Sequence, residues 1–170
     1  MMRVKKWILS LLLIAVIVFL YVLIFIFSGQ DGETSGGLSK KISRQCVEIF
    51  DKLDKGSWSD TLKQEIAENM EHPIRKLAHF TEYALLATAI GCLCILWLKP
   101  ERQKWQWHGI ILLIFISAAL DEWHQSFVPG RYCSFKDVFI DTCGGIFGLC
   151  VLYLICRNLE RSRIITKEDD

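Results

Sequence analysis

The chain has 170 residues, 52% of them hydrophobic, with a formal net charge of +1 and a mean hydropathy of +0.29. This length suits one domain, and apolar residues concentrated in blocks point away from a soluble domain and towards a membrane protein. The basic residues make no extended basic helix, finger spacing or stacking platform, which excludes a nucleic-acid binder.

Arg3, Lys5 and Lys6 precede an apolar run from Trp7 to Phe27, broken only by Ser10 and Tyr21. A bilayer core needs about 20 residues, whereas a signal-peptide core has about 7–15 before a small-residue cleavage site. FSGQ at 27–30 is no such site, so residues 1–27 are expected to be an uncleaved transmembrane helix. Residues 28–75 are polar and mixed in charge. Gly29, Gly32, Gly36 and Gly37 predict a flexible beginning. Leu38, Ile42, Val47, Ile49, Phe50 and Leu53 then predict an amphipathic helix lying on the membrane or the bundle. A short helix follows from about Ser59 to Met70, with Ser59 or Asp60 as N-cap, and His72 and Pro73 end it.

A second span is expected from Lys76 to Leu98, stopped by Lys99-Pro100. Glu82 lies about 9 Å along this helix from Lys76, too deep for its side chain to reach headgroup water, so it should face the bundle interior. Glu101 to Lys104 form a short basic loop, with Trp105, Trp107 and His108 at the interface. The third span runs from about Trp107 to Trp123 and the fourth from Val138 to Cys156. Gly144, Gly145 and Gly148 are spaced for close helix approach; with no strand or GK[ST] beside them, a phosphate loop is excluded. Arg157, Arg161, Arg163 and Lys167 mark a tail over 157–170, whose last residues are expected to be disordered. The expected fold is thus an all-α integral membrane protein: a four-transmembrane-helix bundle, with an extracytoplasmic helical segment over 28–75 and a three-helix core over 76–156.

Basic residues flank the spans before the first, between the second and third, and after the fourth. The positive-inside rule then gives a multi-pass cell-membrane protein with both termini cytoplasmic. His79, Glu82, Asp121, Glu122, His124, Gln125, Arg131, Asp137 and Asp141 consequently share the outer face. Ionisable groups at membrane depth are costly and mark functional sites. His79 and Glu82 share a helix face, as do Asp121 with Gln125 and Asp137 with Asp141. So many carboxylates repel unless Arg131, Lys76, a cation or a shared proton offsets them. With the two histidines they could hold a divalent metal or act as general acid and base, although no metal motif such as H-E-x-x-H is present. No nucleophile is evident, since Ser126, Ser134 and Cys133 lack an adjacent base at a recognised spacing.

Seven cysteines are present. Cys92, Cys94, Cys143, Cys150 and Cys156 lie in apolar runs as small fillers. Cys46 and Cys133 lie in polar segments, and whether they bridge depends on a Cα separation under about 7 Å.

Three segments, FSGQDGETSGGLS at 27–39, RKLAHFTEYALLA at 75–87 and DEWHQSFVPGRYCSFKDVFIDTCGGIFG at 121–148, resemble the VanZ-like membrane proteins in sequence and order. Residues 40–72 match no pattern of that family. The resemblance implies a small helical bundle in a bacterial cytoplasmic membrane and a part in resistance to teicoplanin or related lipoglycopeptides. Carried over by position, the family's polar motif falls on Lys76, His79, Glu82 and Tyr83, on Asp121, Glu122 and Gln125, and on Gly130, Arg131, Asp137 and Gly145.

The leading expectation is an outward-facing polar pocket that binds, or alters the presentation of, a cell-envelope component such as a lipid-linked wall precursor. Arg131 and Lys76 would contact its phosphate or carboxylate. The alternatives are a metal-dependent membrane enzyme acting on envelope lipids and a scaffold whose polar cluster only fixes helix geometry.

Overall fold

A computed structural model describes residues 2–29, 32–98, 103–131 and 133–168. Among these residues there are five helices and no strand: α1 (Met2–Ser28), α2 (Gly32–Leu53), α3 (Asp60–Trp97), α4 (Gln103–Gln125) and α5 (Phe135–Glu168). Three helices are long and apolar enough to cross a membrane, Arg3–Ser28, Asp60–Trp97 and Phe135–Leu159. The expected third span forms as α4, but its apolar stretch is bounded by His108 and Asp121 and falls short of the about 20 residues that a bilayer core asks for. Apolar side chains are exposed along the bundle, among them Leu11 and Phe19 of α1, Leu85 of α3, Leu112 and Phe115 of α4, and Phe147 of α5. That is the outward face of a protein solvated by lipid.

Some local expectations change. Gly32, Gly36 and Gly37 lie within α2 rather than in a flexible lead-in, and α5 carries the 157–170 tail as helix to Glu168. The short helix and the span expected on either side of Pro73 are one helix, α3. A proline inside a helix costs roughly 3 kcal/mol. Here both sides of it are held by packing, with Ala67 buried in the half that meets α2 and Tyr83, Leu86 and Ala87 buried in the half that meets α5. Ser59 caps α3 as expected, its side chain accepting from the Leu62 N–H. All seven cysteines are unbridged, Cys46 and Cys133 included. The Lys99-Pro100 stop, Glu101, and the side chains of Leu38, Lys104, Trp105, Arg163 and Lys167 lie outside the described residues.

The α2–α3 turn uses positive φ at Lys55 (62°) and Gly56 (67°). Asp51 closes it, accepting from the Trp58 N–H at 3.0 Å and meeting Lys63 Nζ at 2.5 Å. The Lys63 ammonium, with the Trp58 N–H, holds the Asp51 carboxyl below its ordinary value.

Two ends of the bundle can be told apart. At one, Trp7 packs edge-on to Trp97 (4.8 Å between centroids), Trp97 Nε1 donates to Ser10 Oγ at 2.7 Å, and Lys6 sits 4.4 Å from the Trp97 ring. Trp107 of α4 lies near this end, beside Gly91. At the other end Ser28 of α1 meets Asp121 and Gln125 of α4. The buried core between them includes Leu20, Ile24, Leu86, Ile110, Ile114 and Leu149.

The tightest contact joins α3 to α5. A Cβ on Gly144 would collide with the Phe80 carbonyl, and one on Gly148 with the Ala84 carbonyl, so the two backbones touch directly. Replacing Gly148 by Leu should force them apart, a change that typically costs about 1–3 kcal/mol or more. The expected outcome is a lower melting temperature and aggregation on gel filtration in detergent. Wild-type behaviour would show that the contact is dispensable.

Candidate functional site

The polar residues expected on one face gather at the Ser28 end of the bundle. Four helices supply them: the last turn of α1, the middle of α3, the last turns of α4 and the first turns of α5. The close α3–α5 approach beside Gly144 sets the register, because His79 precedes Phe80 and Asp141 lies three residues before Gly144. One turn further out, Lys76 of α3 forms an ion pair with Asp137 of α5.

Asp121 sits in a buried network. Ser28 Oγ donates to its Oδ2 at 2.8 Å and Gln125 Nε2 donates to the same oxygen at 2.9 Å. Arg131 extends the network by donating to Gln125 Oε1 at 2.9 Å, to the Ser28 carbonyl at 3.3 Å and to the Phe27 carbonyl at 3.4 Å. Those two carbonyls end α1 and need partners from outside the helix. Burial draws the Arg131 guanidinium below its ordinary value, and nearby Arg75 acts in the same direction against Asp121 and Glu122; a guanidinium stays charged regardless.

Glu122 is 2% exposed and its Oε2 accepts from the Ser134 N–H at 2.8 Å. Ser134 in turn receives the Asp137 and Val138 N–H groups at the start of α5. Glu122 thus fastens the turn, in which Gly130 takes a φ of 76°, onto α4. His79 is 7% exposed; its Nδ1 lies 3.6 Å from Glu82 Oε2, beyond hydrogen-bond length, and has no hydrogen-bond partner. The Glu82 side chain is 16% exposed, largely enclosed as its depth required. Tyr83 is buried in the core beneath it.

Asp121 and Asp141 come together with His79, and Lys76, Asp137, Gln125 and Arg131 surround the opening above them. His124 does not join this group. Its ring stacks on Phe25 with centroids 4.6 Å apart. Glu122 is committed to the turn. Sequence reasoning missed Ser28, Arg75 and Lys136. Ser28 is the last residue of α1, where a polar group ends the apolar run, and Arg75 and Lys136 directly adjoin the chosen Lys76 and Asp137.

Two cavities flank the cluster. A polar one of about 500 Å³ is lined by Arg75, Lys76, His79, Gln125, Arg131, Lys136 and Asp137, among others. A mainly apolar crevice of about 570 Å³ between α1 and α4 is lined by residues including Val18, Val22, Phe25, Leu120 and Trp123, with Asp121 and Tyr83 in its wall.

Arg131→Ala would leave the Phe27 and Ser28 carbonyls and Gln125 Oε1 without these donors. Unsatisfied buried groups cost about 1–3 kcal/mol, so a clear fall in melting temperature is expected by scanning fluorimetry in detergent. An unchanged value would mean that solvent replaces the guanidinium.

No curated protein and no solved structure matches the chain. The VanZ/LLP1 family model matches residues 13–157, a range that includes all the residues of the polar cluster and both cavities. With most of its length so matched, the chain belongs to the VanZ/LLP1 family.

Proposed function

We propose that this chain is a four-span protein of the cell membrane whose polar mouth binds the phosphate or carboxylate of an envelope component, such as a lipid-linked wall precursor. The observation that carries this reading is the grouping of Arg75, Lys76, Arg131 and Lys136 around one cavity, with an apolar crevice nearby at the same end of the bundle. A guanidinium can engage an anion through paired hydrogen bonds, and the lysines add charge. The crevice has the apolar lining that a lipid chain or acyl group requires.

The fourth span is α4. From Trp107 to Gln125 it rises about 27 Å, between the Gly91 level of α3 and the end of α1. It presents Leu112, Phe115, Ile116 and Leu120 outward. With four crossings both termini lie on one side, which agrees with the basic flanks at Arg3–Lys6 and Arg157–Arg161 facing the cytoplasm. The mouth and the α2–α3 hairpin then face outwards, where wall precursors are exposed. By sequestering or altering such a component, the protein would contribute to resistance to teicoplanin and related glycopeptides.

A second reading, a metal-dependent membrane enzyme acting on envelope lipids, draws on the approach of His79, Asp121 and Asp141. A scaffold role draws on the hydrogen bonds joining α1 to α4. The test that separates binding from scaffolding is teicoplanin susceptibility of cells expressing the wild type or the Arg75→Glu, Lys136→Glu pair. Lys136 is exposed and Arg75 half-buried. At equal membrane abundance, the wild type should protect and the charge-reversed variant should not. Equal protection by both would remove the basic mouth from the function, and no protection by the wild type would remove the resistance role.

A further inference from the structure

We propose that His79, Asp121 and Asp141 hold a divalent transition-metal ion where α3, α4 and α5 meet. One potential ligand atom from each residue lies within 4.8 Å of the other two. Three ligands at about 2.1 Å from one ion stand about 3.4–3.6 Å apart, so closure onto a metal requires each ligand atom to move inward by about 0.7 Å or less. All three residues are buried, at 7%, 8% and 2% exposure.

Two of the three groups lack the partners that burial ordinarily demands, and the third is only partly satisfied. His79 Nδ1 has no hydrogen bond. Among the described residues no side chain donates a hydrogen bond to Asp141. Asp121 is held by Ser28 and Gln125, but both donate to Oδ2, which orients the carboxylate and leaves Oδ1 for another ligand. Two carboxylates this close repel in a low-dielectric interior unless a cation or a shared proton lies between them. Lys76, the nearest lysine on the same helix as His79, is paired with Asp137.

The donor set narrows the ion. One imidazole and two carboxylates suit zinc or manganese better than the soft, thiol-seeking ions or a calcium cage of six to eight oxygens. Three protein ligands leave at least one position open, as in sites that bind an exogenous molecule on the metal. His79 also lines the polar cavity and Asp121 the apolar crevice, so an open position would be reachable from either. The metal proposal stands on this geometry alone and does not require the anion-binding role of the mouth.

Mn²⁺ is the discriminating probe, because the chain's seven cysteines compete poorly for it. Full-length protein in detergent, stripped with chelator, would be titrated with Mn²⁺ and followed by the loss of the free-ion electron paramagnetic resonance signal. Saturable binding of about one ion per chain is expected, with a rise in melting temperature and competition by Zn²⁺. His79→Ala and the near-isosteric Asp141→Asn should each weaken binding by more than about tenfold, while Ser28→Ala, acting only through the orientation of Asp121, should cost about tenfold. Circular dichroism and gel filtration of each metal-stripped variant establish that it is folded. A folded wild type that binds neither Mn²⁺ nor Zn²⁺ and shows no thermal shift overturns the proposal in favour of a shared proton. So does undiminished binding in folded His79→Ala and Asp141→Asn, which would put the ion elsewhere.

Discussion

Everything at the polar end depends on the contact between α3 and α5 backbones. In lipid no hydrophobic force pulls two apolar helices together, so association rests on close packing and polar contacts. Gly144 and Gly148 let α5 lie against the Phe80 and Ala84 carbonyls. Gly145, between them, faces Ile114 of α4 instead. A single turn of α5 thereby fixes the distance to two neighbours. The same register sets Asp141 by His79 and Asp137 by Lys76. Bulkier residues at these glycines would have separated the helices and dispersed the groups whose chemistry depends on proximity.

The second constraint is the need to satisfy backbone and carboxylate groups away from water. The end of α1 leaves carbonyls unpaired, and Arg131 reaches back from the α4–α5 turn to meet them. Ser28 and Gln125 link that guanidinium to Asp121. Glu122 fastens the other side of the turn through the Ser134 N–H. The charged residues thus divide by task. Glu122 holds a turn and Arg131 seals a helix end, while Asp137 is neutralised by Lys76 and Asp121 and Asp141 remain together in the interior.

The sequence made the apolar helices, the α3 N-cap, the glycine seam and the gathering of polar residues at one level legible, because each follows from local periodicity or spacing. Pro73 was misleading. Its local preference for ending a helix is overridden by packing on both sides, which only the tertiary arrangement supplies. α4 was readable as a helix, yet its apolar stretch between His108 and Asp121 is shorter than a span's usual length, so length and composition do not make it a span. Division of labour within the polar cluster was not legible. Helical spacing put Asp121 and Gln125 on one face and their hydrogen bond agrees, but the same logic could not tell that His124 turns to Phe25 while Ser28 arrives from 93 residues away.

The relation between the two cavities ties these observations to one another. An amphiphile needs a polar opening continuous with an apolar slot, and the boundary between them must tolerate both. Here His79 borders the polar space, Asp121 borders the apolar crevice, and the buried Asp141 of α5 approaches both residues. Two carboxylates at such a boundary would be a burden if their only task were helix packing, since a neutral hydrogen-bonded pair would join the same helices without mutual repulsion. Their presence is intelligible if the boundary itself must carry negative charge. A bound cation would satisfy that charge from within, while Arg75, Arg131 and Lys136 line the polar space that His79 also borders. The two charge sets are coupled rather than isolated, since Arg131 reaches Asp121 through Gln125 and Lys76 pairs with Asp137.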